Sequence, residues 1–72
     1  METTLTDEAL LKRLGERLAR LRLAQNLSQE QLAEQAGIGV RTLQRLEQGA
    51  AATQLSGFVR VCRALGLVDR LD

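Results

Sequence analysis

The sequence predicts an all-α protein, a compact bundle of four to five short helices, and three observations predict it. The chain of 72 residues has no Pro and is rich in Ala, Leu, Glu, Gln and Arg, the residues that lose least on entering a helix. Its leucines recur at three- and four-residue spacing, and no alternating apolar–polar run suggests a strand. Helix-starting residues (Thr6, Ser28, Thr53) and helix-ending ones (Asn26, Gly37, Gly49, Gly66) alternate along the chain. A chain of this length forms one domain, near the lower limit for folding alone. Its core is built from Leu, Ala, Val and Ile, with a single Phe and no Trp or Tyr.

Residues 1–5 are expected to fray. Thr6 reads as the N-cap of the first helix, with Asp7 and Glu8 suited to the positive end of its dipole. The helix runs to about Ala24, with Leu10 or Leu11, Leu14, Leu18 and Leu21 as its buried stripe. Gly15 costs about 1 kcal/mol there relative to Ala, and marks the segment before it as a loosely held extension. Gln25-Asn26 is the stop. Ser28 opens the second helix through the capping-box pattern Ser28-x-x-Gln31, with Leu27 as a hydrophobic staple. Leu32, Ala33 and Ala36 face inward, and Gly37 closes the helix. Ile38 points inward, and Gly39 is a weak N-cap for a third helix, about Val40 to Gln48, with Leu43 and Leu46 inward. Gly49 ends it and Ala50 to Ala52 form a loop. Thr53 caps a fourth helix, Gln54 to Leu65, with Leu55, Phe58, Val59, Cys62 and Leu65 on one side. Leu67 to Leu71 make one further turn or begin another helix.

Composition excludes several classes. There is no His and only one Cys. That removes Cys/His zinc sites, intrachain disulfides, a Ser-His-Asp triad and a His general base. No catalytic constellation can be assembled and no metal or cofactor is expected. No segment has the pattern of a signal peptide or the length of a membrane span, so a cytoplasmic protein is the expectation. Net charge is only +1, but its distribution is uneven. Residues 1–11 carry Glu2, Asp7 and Glu8 and no base, whereas residues 12–63 carry nine bases against four acids. Nine of the chain's ten bases are Arg, whose planar fork suits phosphates and guanine edges.

Within this pattern, Leu27 to Gly49 form two short helices joined by a tight Gly-containing turn. The second presents Val40, Arg41, Gln44 and Arg45 outward, opposite Leu43 and Leu46. That is the chemistry of a helix-turn-helix, in which one helix props another into the DNA major groove. Arg bonds guanine O6 and N7 together, Gln bonds adenine N6 and N7, and Val40 suits a thymine methyl. Arg13, Arg17 and Arg20, and likewise Arg60 and Arg63, read as solvated surface. Ser28 is a cap, and Cys62 is a core thiol on an apolar stripe.

The run from Arg20 to Ala33 (R-L-R-L-A-Q-N-L-S-Q-E-Q-L-A) carries a family signature. So do Gly37, the R-T-L-Q-R-L-E-Q-G run from Arg41 to Gly49, and V-C-R-A-L-G-L from Val61 to Leu67. Together they resemble the phage repressor and Cro-like, or XRE-like, helix-turn-helix DNA-binding family. The resemblance spans about Leu14 to Leu67. It implies a lambda-repressor-like bundle in which residues 14–72 form the DNA-binding domain and residues 1–13 an N-terminal extension of the first helix. It implies base contacts from Val40, Arg41, Gln44 and Arg45. Phosphate contacts would come from Ser28, Gln29 and Gln48. Arg22 would form a structural ion pair with Glu47 and also reach a phosphate. Where the family usually places Ser or Thr before the reading helix, this chain has Gly39, which removes one phosphate contact.

The implied partner is double-stranded DNA carrying an inverted repeat, bound by a homodimer that acts as a transcriptional repressor. Val61, Leu67, Val68 and Leu71 are read as a small dimer patch, or else as the end of the monomer core. The alternative function is a protein-interaction module, such as an antitoxin that neutralises a toxin and represses its own operon.

Overall fold

The computed structural model describes residues 6–50 and 55–67, and everything below concerns those residues. They form four helices and no strand: α1 (Asp7–Ala24), α2 (Gln29–Ala36), α3 (Val40–Glu47) and α4 (Leu55–Ala64). The expected bundle is therefore present. Thr53, Gln54, Val68 and Leu71 lie outside the described residues, as do residues 1–5 and the expected turn beyond Leu67.

Local chemistry sets each boundary. The Ala9 N–H donates to Thr6 Oγ1 at 3.1 Å, capping α1. The Gln31 N–H donates to Ser28 Oγ at 3.0 Å and the Ser28 N–H donates to Gln31 Oε1 at 2.8 Å, closing the capping box of α2. Gly39 caps α3 without a side-chain bond. All four helices end alike, on a residue of positive φ: Asn26, Gly37, Gly49 and Gly66. The N–H of the next residue donates five residues back: Leu27 to Arg22, Ile38 to Ala33, Ala50 to Arg45 and Leu67 to Cys62, at 2.9–3.1 Å.

The helices bury one core: Leu18 from α1, Leu32, Ala33 and Ala36 from α2, Leu43 and Leu46 from α3, Val61 from α4, and Leu65 just after it. Leu32, Leu43 and Val61 are fully buried, each worth about 1.5–3 kcal/mol in area removed from water. Helix α1 packs on α3, and α4 packs mainly on α2.

Three sequence-based expectations need correction. Leu10 and Leu14 are each 46% exposed, whereas Leu18 is buried and Leu11 and Leu21 are half-buried, because the face of α1 that meets α3 runs through Gly15, Leu18 and Arg22. Leu55 and Val59 are exposed as well, since α4 buries the face carrying Gly57 and Val61. Val61 is 0% exposed and belongs to the monomer core, so it presents no surface to a second chain. Leu67 is half-buried against that core.

Gly15 is no weak point. A Cβ there would overlap the main-chain carbonyls of Leu46 and Glu47, so the glycine is what lets α1 cross the end of α3. Gly49 makes the second close approach: a Cβ on it would lie 2.6 Å from the Lys12 Cα. Helix α1 is thus seated against the end of α3 at Lys12 and Gly15.

Candidate nucleic-acid interface

The site is assembled from α2, the turn after it and α3. Gly37, at φ 72° and ψ 33°, takes the left-handed conformation and turns the chain sharply between the two helices. From α4, Arg60 Nη1 donates to the Gly37 carbonyl at 3.1 Å and braces that turn. Leu43 and Leu46 hold the inner side of α3 in the core. The outer side carries Val40, Arg41, Gln44 and Arg45, all exposed. Arg41 and Arg45 have no ion-pair or hydrogen-bond partner for their side chains among the described residues. The four expected base-reading residues therefore share one solvent-facing surface.

Behind that surface lies a polar network centred on Glu47, whose side chain is only 7% exposed. Arg22 Nε donates to Glu47 Oε2 at 2.8 Å and Arg22 Nη2 to Oε1 at 3.2 Å. Arg22 Nη1 donates to the Leu27 carbonyl at 2.9 Å. The pair of Arg22 and Glu47 that the family resemblance implies is thus a forked one linking α1 to α3, with a third bond to the segment before α2. Arg22 is 9% exposed and committed to these bonds, so its surroundings suit a structural part and leave little of it for a phosphate.

Sequence reasoning missed the extension of this network. Gln29 Nε2 donates to Glu47 Oε1 at 2.9 Å, and Gln44 Nε2 donates to Gln29 Oε1 at 3.3 Å. Gln29 is half-buried, whereas Ser28 and Gln48 are exposed at the ends of α2 and α3. Residues 18 and 15 positions apart carry no local signal for such bonds. They become visible only once the turn has set the start of α2 beside the outer half of α3.

Elsewhere, Gln25 Nε2 donates to the Leu65 carbonyl at 3.0 Å, joining the ends of α1 and α4. Burial raises the thiol pKa of half-buried Cys62 above the ordinary value, which keeps it protonated and unreactive at neutral pH.

A family model described as a helix-turn-helix domain matches residues 13–72, nearly the whole chain. The chain belongs to the helix-turn-helix family. This agrees with the XRE-like resemblance in its sequence. DNA binding in transcription regulation is the function that goes with this domain. No curated protein matches the chain. Among the described residues of the domain, no helix is long and apolar enough to cross a membrane.

Proposed function

We propose that this helix-turn-helix protein is a sequence-specific transcriptional repressor that binds an inverted-repeat operator as a homodimer in the bacterial cytoplasm. The observation that carries the proposal is the contrast across α3. One side is fixed by Leu43, Leu46 and the Glu47 network, while the other leaves Arg41 and Arg45 unpaired among the described residues. A rigid helix with uncommitted donors suits base edges in a major groove. Arg41, Gln44 and Arg45 read bases, Val40 touches the groove edge, and Ser28, Gln29 and Gln48 meet phosphates. One reading helix covers few base pairs, so two-fold pairing on half-sites supplies affinity. With Val61 in the core, Leu67 is the one member of the expected dimer patch among the described residues that keeps partial exposure.

The test is fluorescence-anisotropy binding to the DNA upstream of this protein's own gene, at two salt concentrations, beside a scrambled duplex. Tighter binding to the upstream duplex supports the proposal, and the salt slope counts the phosphates neutralised. Within it, Arg45→Ala should lose about 1–3 kcal/mol on the specific site with its melting temperature unchanged. Equal weak binding to both duplexes counts against it.

A second reading, a module that binds a protein such as a toxin, is favoured by one observation. Leu10 and Leu14 form an exposed groove with Arg13, Arg17 and Arg20 on the open side of α1, a surface suited to an acidic amphipathic partner. Co-purification with the product of an adjacent reading frame would support it.

A further inference from the structure

A glutamine amide has a donor end and an acceptor end, and turning it by half a rotation exchanges them. A free glutamine on a reading helix therefore does not distinguish bases strictly. With its oxygen and one N–H facing the groove it matches adenine, which offers an N6–H donor and the N7 acceptor. With its NH2 alone facing the groove it matches guanine, which offers the O6 and N7 acceptors.

Gln44 does not have that freedom. Glu47 is held by Arg22 through both carboxylate oxygens, and a carboxylate only accepts. Gln29 must therefore turn its Nε2 toward Glu47 Oε1, as it does at 2.9 Å. That leaves Gln29 Oε1 facing Gln44, which must answer with its own Nε2, at 3.3 Å. The Gln44 oxygen and its second N–H are then what remains for the groove. Each link forces the direction of the next, and the direction originates at an ion pair with a 7% exposed carboxylate.

We infer that Gln29 is a positioning residue which, relaying the polarity of Glu47, sets Gln44 to read adenine in preference to guanine. The inference rests on α3 being the reading helix. It gives Gln29 a part in base choice beyond any phosphate contact.

The experiment selects a preferred site for the wild-type protein from a pool of randomised duplexes. Affinities are then measured for every single-base variant of that site, with the wild type, Gln44→Met, Gln29→Met and Gln29→Lys. Wild type is expected to prefer adenine over guanine at one position by about tenfold, and Gln44→Met to abolish that preference. Gln29→Met should erase most of it while leaving the other positions unchanged. Gln29→Lys should reverse it toward guanine. Lysine still pairs with Glu47, but it only donates, so Gln44 must turn its oxygen inward and present its NH2 to the groove. Because lysine keeps the Glu47 contact and adds a charge that favours any phosphate contact, this variant carries the test even where the methionine variant does not fold.

An adenine preference that survives unchanged in Gln29→Lys overturns the inference. So does a loss spread evenly over all positions in Gln29→Met, which is the mark of a simple phosphate contact. Failure of the wild type to enrich any sequence instead overturns the DNA-reading proposal beneath it, a result seen before any variant is made.

Discussion

Gly15 of α1 faces the main-chain carbonyl of Glu47 at the end of α3, with no room between them for a methyl group. Two effects compete at this position. Helix propensity favours Ala over Gly by about 1 kcal/mol. Steric overlap with the main chain opposes it, and no rotamer change relieves it. We expect overlap to win: Gly15→Ala should destabilise by about 1–3 kcal/mol. For a domain this small that lowers the melting temperature by about 4–8 °C per kcal/mol. A rise in melting temperature would show that the close approach does not hold in solution.

Glu47→Ala should be severe. It leaves the side chain of Arg22, 11% exposed, without its partner, a loss of about 3–5 kcal/mol. A chain of 72 residues has a total stability of roughly 4–11 kcal/mol, so this variant should be partly unfolded at 37 °C. The double change Arg22→Met with Glu47→Met removes both charges and should recover much of the loss in a urea titration. Equal midpoints for wild type and Glu47→Ala would remove the pair from the account of stability.

Gly39→Ser should improve the protein. Gly39 lies at φ −72° and ψ 150°, an extended conformation any residue adopts, and a Cβ there meets nothing nearer than Thr42 Oγ1 at 4.0 Å. The added hydroxyl caps α3, a gain of a few tenths of a kcal/mol. It should also tighten operator binding through one further phosphate contact, worth about 0.5–1.5 kcal/mol. Unchanged affinity alongside raised stability would mean that the start of α3 does not approach the DNA backbone.

Cys62 gives a pH dependence of defined sign. Burial raises its pKa in the folded state, so the folded protein holds the thiol proton more tightly than the unfolded chain does. The resulting stabilisation is fully present below the ordinary thiol pKa of about 8.5, and is lost as pH rises through the raised folded value. Wild type should therefore lose melting temperature more steeply than Cys62→Ala above that pH. Parallel profiles would contradict the prediction.

The helix ends were the most legible part of the sequence. Thr6, the Ser28–Gln31 box, Asn26 and Gly37 all act within a few residues of themselves, so their chemistry is readable without the fold. The exposed side of α3 was legible for the same reason: with Leu43 and Leu46 inward, helical periodicity sends Arg41, Gln44 and Arg45 outward. What failed depended on which neighbour a helix meets. Leucines lie on more than one side of α1, and spacing, which placed Leu18 inward, did not reveal that Gly15 and Arg22 are buried beside it while Leu10 and Leu14 are exposed. The cost assigned to Gly15 counted propensity and omitted the main chain pressed against it. Val61 looked like surplus apolar surface because the helix it packs against was unknown. Arg22 and Glu47 were paired through family resemblance, and Gln29 joined them only once the fold had placed α2 beside α3.

The contacts at Gly15 and Gly49 are made by main chain against main chain, which gives them a consequence beyond packing. They fix how the end of α3 sits against α1, and exchanging an outward side chain leaves them unchanged. Arg41 and Arg45 support nothing else among the described residues. Both can be replaced without disturbing the frame that presents them. On the proposed reading of DNA by α3, new target sequences are therefore accessible by one or two substitutions, and the same scaffold can be retargeted, in evolution or by design, at almost no cost in folding.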